Sequence, residues 1–199
     1  MNTANKLTLA RVAMIPAFML VLYLGIPGAN YWALAIFALA SVTDWLDGYV
    51  ARHYGQVTDF GKFMDPLADK FMVIGALAVI VYRADAGILR LFFTLVLLVV
   101  IFRELAVTSL RLVASTSAGA VVAANLLGKI KTVVQIVFIS AVFIEPALYA
   151  IPALGGFLPA WWVENVPITY LAGALTLLFT VWSGINYFIG MWKYLDPEK

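Results

Sequence analysis

Five of the chain's eleven acidic residues, Asp44, Asp47, Asp59, Asp65 and Asp69, are gathered between positions 44 and 69. Asp44 and Asp47 are spaced i,i+3, and Asp65 and Asp69 i,i+4, so on helices each pair shares one face. Two carboxylates about 6 Å apart repel by about 3 kcal/mol at an effective dielectric of 20. Four facing one another exceed what a marginally stable fold carries, so protons or cations must sit among them. Hard divalent ions take all-oxygen ligand sets of this kind, and two ions about 4 Å apart suit phosphoryl transfer. Gly48 and Gly61 flank the carboxylates; small residues let a ligand or a second helix approach the backbone. Arg52, one turn past Gly48, is a phosphate ligand or a side chain snorkelling to the interface. Taken singly, Asp65 before Pro66 reads as a helix N-cap with a first-turn proline, and Asp59 as a loop residue.

The elements that must position these groups are membrane helices. The chain has 199 residues, 64% hydrophobic and 12% charged, with no cysteine and a net charge of +2. A soluble domain has about 25% charged residues, so an ordinary cytosolic enzyme, a disordered chain and a disulfide scaffold are excluded. The charge is too small to point to nucleic acid. A membrane-crossing helix needs about 20 apolar residues, and six stretches qualify: 7–24, 31–53, 66–82, 88–113, 129–149 and 168–194. The expected fold is all-α, a single membrane domain over 1–199 with six transmembrane helices. Breaker-rich connections separate them, and the small, polar run 115–124 reads as a turn or a close helix approach. Placing both termini in the cytoplasm puts eleven of the 13 Lys and Arg residues inside, with Arg83 and Arg90 outside, in line with the positive-inside rule. Trp161 and Trp162 read as an outer interfacial anchor. Arg11 interrupts the first stretch and no small-x-small site follows it, so it is expected to be a retained helix and not a signal peptide.

In this frame the acidic pairs lie toward the inner ends of the second and third spans, in a polar cavity open to the cytoplasm. Arg11, Arg103, Arg111, Lys129 and Lys131 lie at inner ends of the first, fourth and fifth spans. They form a basic wall for an anionic acceptor or serve only topology and lipid attraction. Arg103 sits deeper than Arg111, and Glu104 is its candidate partner. Lys129 and Lys131, two apart, cannot share a helix face. Asn125, Gln135 and Asn186 are assigned to hydrogen bonds between helices.

The run Asp44-x2-Asp47-Gly48-x2-Ala51-Arg52-x8-Gly61-x3-Asp65-x3-Asp69 resembles the CDP-alcohol phosphotransferase signature in full. Asn5-Lys6-Leu7-Thr8-Leu9-Ala10-Arg11, Arg103-Glu104-x6-Arg111 and Gly128-Lys129-Ile130-Lys131-Thr132 are similar to the bacterial members that form phosphatidylglycerophosphate. The resemblance implies that CDP-diacylglycerol donates its phosphatidyl group to glycerol 3-phosphate and releases CMP. It implies Mg2+ or Mn2+ as cofactor, two ions held by Asp44, Asp47, Asp65 and Asp69, with Asp69 also taking the acceptor's proton. It implies that Thr8, Gly48, Arg52, Thr58 and Gly61 bind CDP-diacylglycerol; the basic wall of Arg11, Arg103, Arg111, Lys129 and Lys131 is then read as serving the acceptor phosphate, with at most one of Lys129 and Lys131 reaching it. A bacterial cell-membrane location, a cytoplasm-facing site, membrane-lipid partners and a homodimer follow from the same resemblance. Gly173, Ala174 and Gly184 could serve that dimer or pack helices within one chain.

Three alternatives stand beside this reading; one is a noncatalytic membrane scaffold, whose role Asp69→Asn would leave untouched. A sister enzyme would use another acceptor, inositol phosphate or a phosphatidyl lipid. An ion-coupled transporter would use buried carboxylates, but such folds carry internal repeats and broken helices, and no repeat is visible here.

Overall fold

A computed structural model describes residues 3–53, 58–118 and 126–192. Every regular element among them is helical: α1 (Thr3–Leu24), α2 (Ala29–His53), α3 (Asp59–Arg83), α4 (Ile88–Ala118), α5 (Leu126–Tyr149), the short α6 (Pro152–Gly155) and α7 (Ala160–Asn165), and α8 (Pro167–Met191). Among the described residues, five segments are long and apolar enough to cross a membrane: Asn5–Leu24, Ala29–Val50, Ile88–Thr116, Leu126–Tyr149 and Ala160–Met191. The third expected span lies in α3, which has the length but carries Asp65, Asp69 and Lys70 in its first half. Large apolar side chains such as Leu20, Phe102 and Ile189 are exposed, the pattern of helices whose outer faces meet lipid and not water.

The chain divides into two compact units, one of Met1–Ala84 with Val142–Pro159 and the other of Asp85–Ala141 with Ala160–Lys199. In the first, α1 packs against both α2 and α3. The short connection from α1 to α2 turns through Gly25 and Gly28, whose φ values of 59° and 74° lie in the left-handed region open to glycine. At the far end of α2 and α3, Arg83 donates to Asn30 Oδ1 at 2.7 Å. Phe18 of α1 contacts Phe37 of α2 and meets Phe143 edge-on. In the second unit α4 packs against α8. Thr169, Thr176, Thr180, Ser183 and Tyr187 of α8 are all buried and recur at helical spacing along one face. That face meets α5, where Gln135 donates to Thr180 Oγ1 at 3.4 Å and Thr176 to the Val134 carbonyl at 3.1 Å. Gly173 and Gly184 pack within the chain: a Cβ on Gly173 would stand 2.5 Å from Phe92 Cε1, and one on Gly184 3.3 Å from Arg103 Cγ. They therefore lend no support to a dimer interface.

Two boundaries differ from expectation. Helix α3 starts at Asp59, so Asp59 is helical and Asp65 is not its cap. Thr58 caps it instead, its side chain accepting from the Gly61 N–H at 3.0 Å, and Pro66 lies inside the helix. Helix α4 runs through Ser115 and Thr116, whose hydroxyls bond to the Leu112 carbonyl at 2.8 and 3.0 Å. Such back-bonding satisfies the polar side chains without breaking the helix.

Candidate active site

Three helices each contribute a pair of residues to one polar cluster in the first unit. The pairs are Thr8 and Arg11 from α1, Asp44 and Asp47 from α2, and Asp65 and Asp69 from α3. Each pair spans about one helical turn, so both members leave the same face. Arg11 is fully buried. Its Nη1 lies 2.6 Å from Asp44 Oδ1 and 2.9 Å from Asp69 Oδ1, and its Nη2 pairs with Asp47 Oδ2. Thr8, also buried, donates to Asp65 Oδ1 at 2.8 Å and lies 3.3 Å from Asp47 Oδ2. The first helix thus touches all four carboxylates, which accounts for a buried arginine in an apolar element.

The cluster is sealed on one side and open on the other. The Asp47 side chain is 5% exposed, whereas those of Asp44 and Asp69 are 42% and 52% exposed. Solvent therefore reaches Asp44 and Asp69. At the N-terminus of α3, Thr58 donates to Asn5 Oδ1 at 2.9 Å, and Asn5 is itself buried. A Cβ on Gly61 would stand 3.2 Å from Asn5 Oδ1, 3.3 Å from Thr58 Oγ1 and 3.8 Å from Asp65 Oδ2. Glycine at this position keeps room between the α3 N-terminus and the carboxylates. Gly48 is half-buried on α2, next to Asp47. The side chain of Arg52 lies outside the described residues.

Four carboxylates against one guanidinium leave a net negative cluster of hard oxygen donors, open on one side. That donor chemistry fits a divalent ion of the Mg2+ or Mn2+ type. As the described side chains stand, no three acidic groups close on one ion; the Arg11 guanidinium stands between Asp44, Asp47 and Asp69. An ion would have to share oxygens that Arg11 holds.

The remaining basic residues belong to the second unit. Arg103 donates from Nη1 to Glu104 Oε1 at 3.0 Å and from Nη2 to Ser183 Oγ at 2.7 Å. The candidate Arg103–Glu104 pairing is thereby present. Lys131 donates to the same Glu104 oxygen at 2.5 Å, while Lys129 is exposed, as residues two apart on a helix require. Arg111 donates to Tyr187 Oη at 2.5 Å. Arg11, expected with this group, has its ion pairs with Asp44, Asp47 and Asp69 instead.

Asn5, Ser183 and Tyr187 were not singled out as site residues by sequence reasoning. Ser183 and Tyr187 had a readable signal in the polar residues at 169, 176, 180, 183 and 187. That spacing marks one polar face on an otherwise apolar helix.

A family model described as CDP-alcohol phosphatidyltransferase matches residues 1–182. A Bacillus subtilis (strain 168) protein is 40% identical over 210 residues, covering 100% of this chain and 99% of the relative. A Haemophilus influenzae protein is 36% identical, covering 94% of this chain and 91% of the relative. One from Escherichia coli (strain K12) is 34% identical, covering 94% and 92%. All three carry the name CDP-diacylglycerol--glycerol-3-phosphate 3-phosphatidyltransferase.

Proposed function

The chain belongs to the CDP-alcohol phosphatidyltransferase family, and on that premise we propose that it moves the phosphatidyl group of CDP-diacylglycerol to glycerol 3-phosphate. The products are phosphatidylglycerophosphate and CMP. The observation that carries this reading is the convergence of Asp44, Asp47, Asp65 and Asp69 on Thr8 and Arg11. The full-length relatives of that name support the choice of acceptor.

Asp44, Asp47, Asp65 and Asp69 would hold two Mg2+ or Mn2+ ions, which when bound neutralise the diphosphate and stabilise the leaving CMP. Asp69, the most exposed of the carboxylates paired with Arg11, takes the proton of the acceptor hydroxyl as general base. The freed oxygen attacks the phosphatidyl phosphorus, and the bond from that phosphorus to the CMP oxygen breaks. Thr8, Gly48, Arg52, Thr58 and Gly61 serve the CDP-diacylglycerol side; the narrow space at Gly61 supports this. Arg103, Arg111, Lys129 and Lys131 serve the acceptor phosphate. Arg103 and Lys131 share one carboxylate, Glu104, and Arg103 and Arg111 both meet the Tyr187 ring; that surplus of cations suits a dianion. Arg11 is assigned to holding the carboxylates.

In the membrane, α3 is the sixth span, packed on α1, with both termini and the open side of the cluster facing the cytoplasm. The donor's acyl chains then stay in lipid while its diphosphate reaches the carboxylates. The cell membrane of a bacterium and a homodimer are part of this proposal.

The test is an acceptor screen with purified protein, CDP-diacylglycerol and Mg2+ or Mn2+, following CMP. Release with glycerol 3-phosphate is expected. Release only with inositol phosphate or a phosphatidyl lipid would overturn the acceptor assignment.

A further inference from the structure

Tyr187 is 4% exposed and is wedged in an apolar cluster with Val107, Leu110 and Met191. Its ring is therefore held fast, yet three features tie it to the basic residues of the second unit. The Arg111 guanidinium lies 4.9 Å from the ring centroid and that of Arg103 5.4 Å, both within the range of cation–π attraction. The phenol oxygen accepts from Arg111 Nη2 at 2.5 Å. One helix turn before it, Ser183 accepts from Arg103 Nη2 at 2.7 Å. Arg103 and Arg111 stand two turns apart on α4, and each keeps a buried Nε that has no hydrogen-bond partner among the described residues. Arg103 has Glu104 as a carboxylate partner; Arg111 has none within ion-pair distance among the described residues. Its charge is held by an aromatic ring and a phenol, which fix a guanidinium without neutralising it.

We propose that Tyr187 is a positioning residue for the phosphate end of the acceptor, holding the Arg103 and Arg111 guanidiniums in a fixed array whose charge stays available to a dianion. This rests on the assignment of those arginines to the acceptor phosphate made above. A carboxylate in the place of Tyr187 would also fix the array but would cancel the charge that recruits the substrate. A ring and a hydroxyl do the first without the second. The ring makes the larger contribution, since it serves both arginines, and the hydroxyl serves Arg111 alone.

The experiment measures steady-state kinetics of the purified full chain in lipid nanodiscs, varying glycerol 3-phosphate and CDP-diacylglycerol separately. It compares wild type with Tyr187→Phe, Tyr187→Leu and Arg111→Gln, and uses inorganic phosphate as a competing anion. A tenfold change in affinity corresponds to about 1.4 kcal/mol. Tyr187→Leu is expected to raise KM for glycerol 3-phosphate about tenfold and Tyr187→Phe about threefold. Both should leave kcat and the CDP-diacylglycerol KM within about twofold, and inhibition by phosphate should weaken in parallel. A merely structural role would lower kcat or yield without that split. If Tyr187→Leu does not fold, Tyr187→Phe decides. If Arg111→Gln raises the acceptor KM and neither tyrosine variant does, the positioning role is overturned and the acceptor assignment stands. If Arg111→Gln leaves the acceptor KM unchanged as well, the acceptor assignment itself falls.

Discussion

Arg11 on α1 and Asp44 on α2 are joined through a single nitrogen, with Arg11 Nη1 2.6 Å from Asp44 Oδ1. The same nitrogen reaches Asp69 of α3 at 2.9 Å, so one buried guanidinium links three helices. Replacing it by a neutral side chain leaves the buried Asp47 without its cation. Breaking a buried pair from one side typically costs 3–5 kcal/mol. Since Asp44 and Asp69 are half open to solvent, the expected loss for Arg11→Gln is at the low end, about 3 kcal/mol. A thermal melt in detergent checks it: a clear fall in Tm is expected, with Arg11→Lys intermediate. Unchanged melting of Arg11→Gln would show that the guanidinium does not hold these helices together.

The second unit offers a test of packing alone. Gly173 faces Phe92 and Phe138, and a Cβ there would stand 2.5 and 3.0 Å from their ring carbons. Rings at that distance must move, and overpacking of this kind costs about 1–3 kcal/mol. Gly173→Ala should therefore melt below wild type, even though alanine is the better helix former by about 1 kcal/mol. An equal or higher melting temperature would mean that α8 does not approach α4 and α5 this closely.

A cation requirement follows from four carboxylates with one guanidinium among them. Chelation by EDTA should abolish CMP release, and Mg2+ or Mn2+ should restore it. Full activity after exhaustive chelation, with no ion bound by elemental analysis, would remove the cation-holding role of Asp44, Asp47, Asp65 and Asp69.

Direct displacement at phosphorus makes a stereochemical statement. With a donor chiral at the phosphatidyl phosphorus, one in-line transfer inverts configuration. Retention would require two successive displacements and hence a covalent intermediate. 31P NMR of the product distinguishes the two outcomes.

Much of this site was legible in the residues themselves. The 3- and 4-residue spacings of Asp44 with Asp47 and Asp65 with Asp69 encode shared helix faces, because the helical repeat is local. The Arg103–Glu104 contact was accessible for the same reason. What Arg11 touches was not, since its partners lie 33 to 58 positions away and depend on how α1 packs. The start of α3 was obscured by Asp65-Pro66, a sequence that imitates a cap; the actual cap, Thr58, identifies itself through its bond to Gly61. Tyr187 was hidden because an aromatic residue in an apolar helix reads as lipid-facing until the polar spacing along α8 is followed.

Phosphatidyl transfer at the carboxylate cluster of α2 and α3 is checked by measuring CMP release from CDP-diacylglycerol and glycerol 3-phosphate, with wild type and Asp69→Asn purified into identical nanodiscs. Loss of a general base lowers rates by about 10²–10⁴. Release by wild type with a drop of at least about 10² in the folded variant is the expected result. Equal release by the two proteins would contradict it.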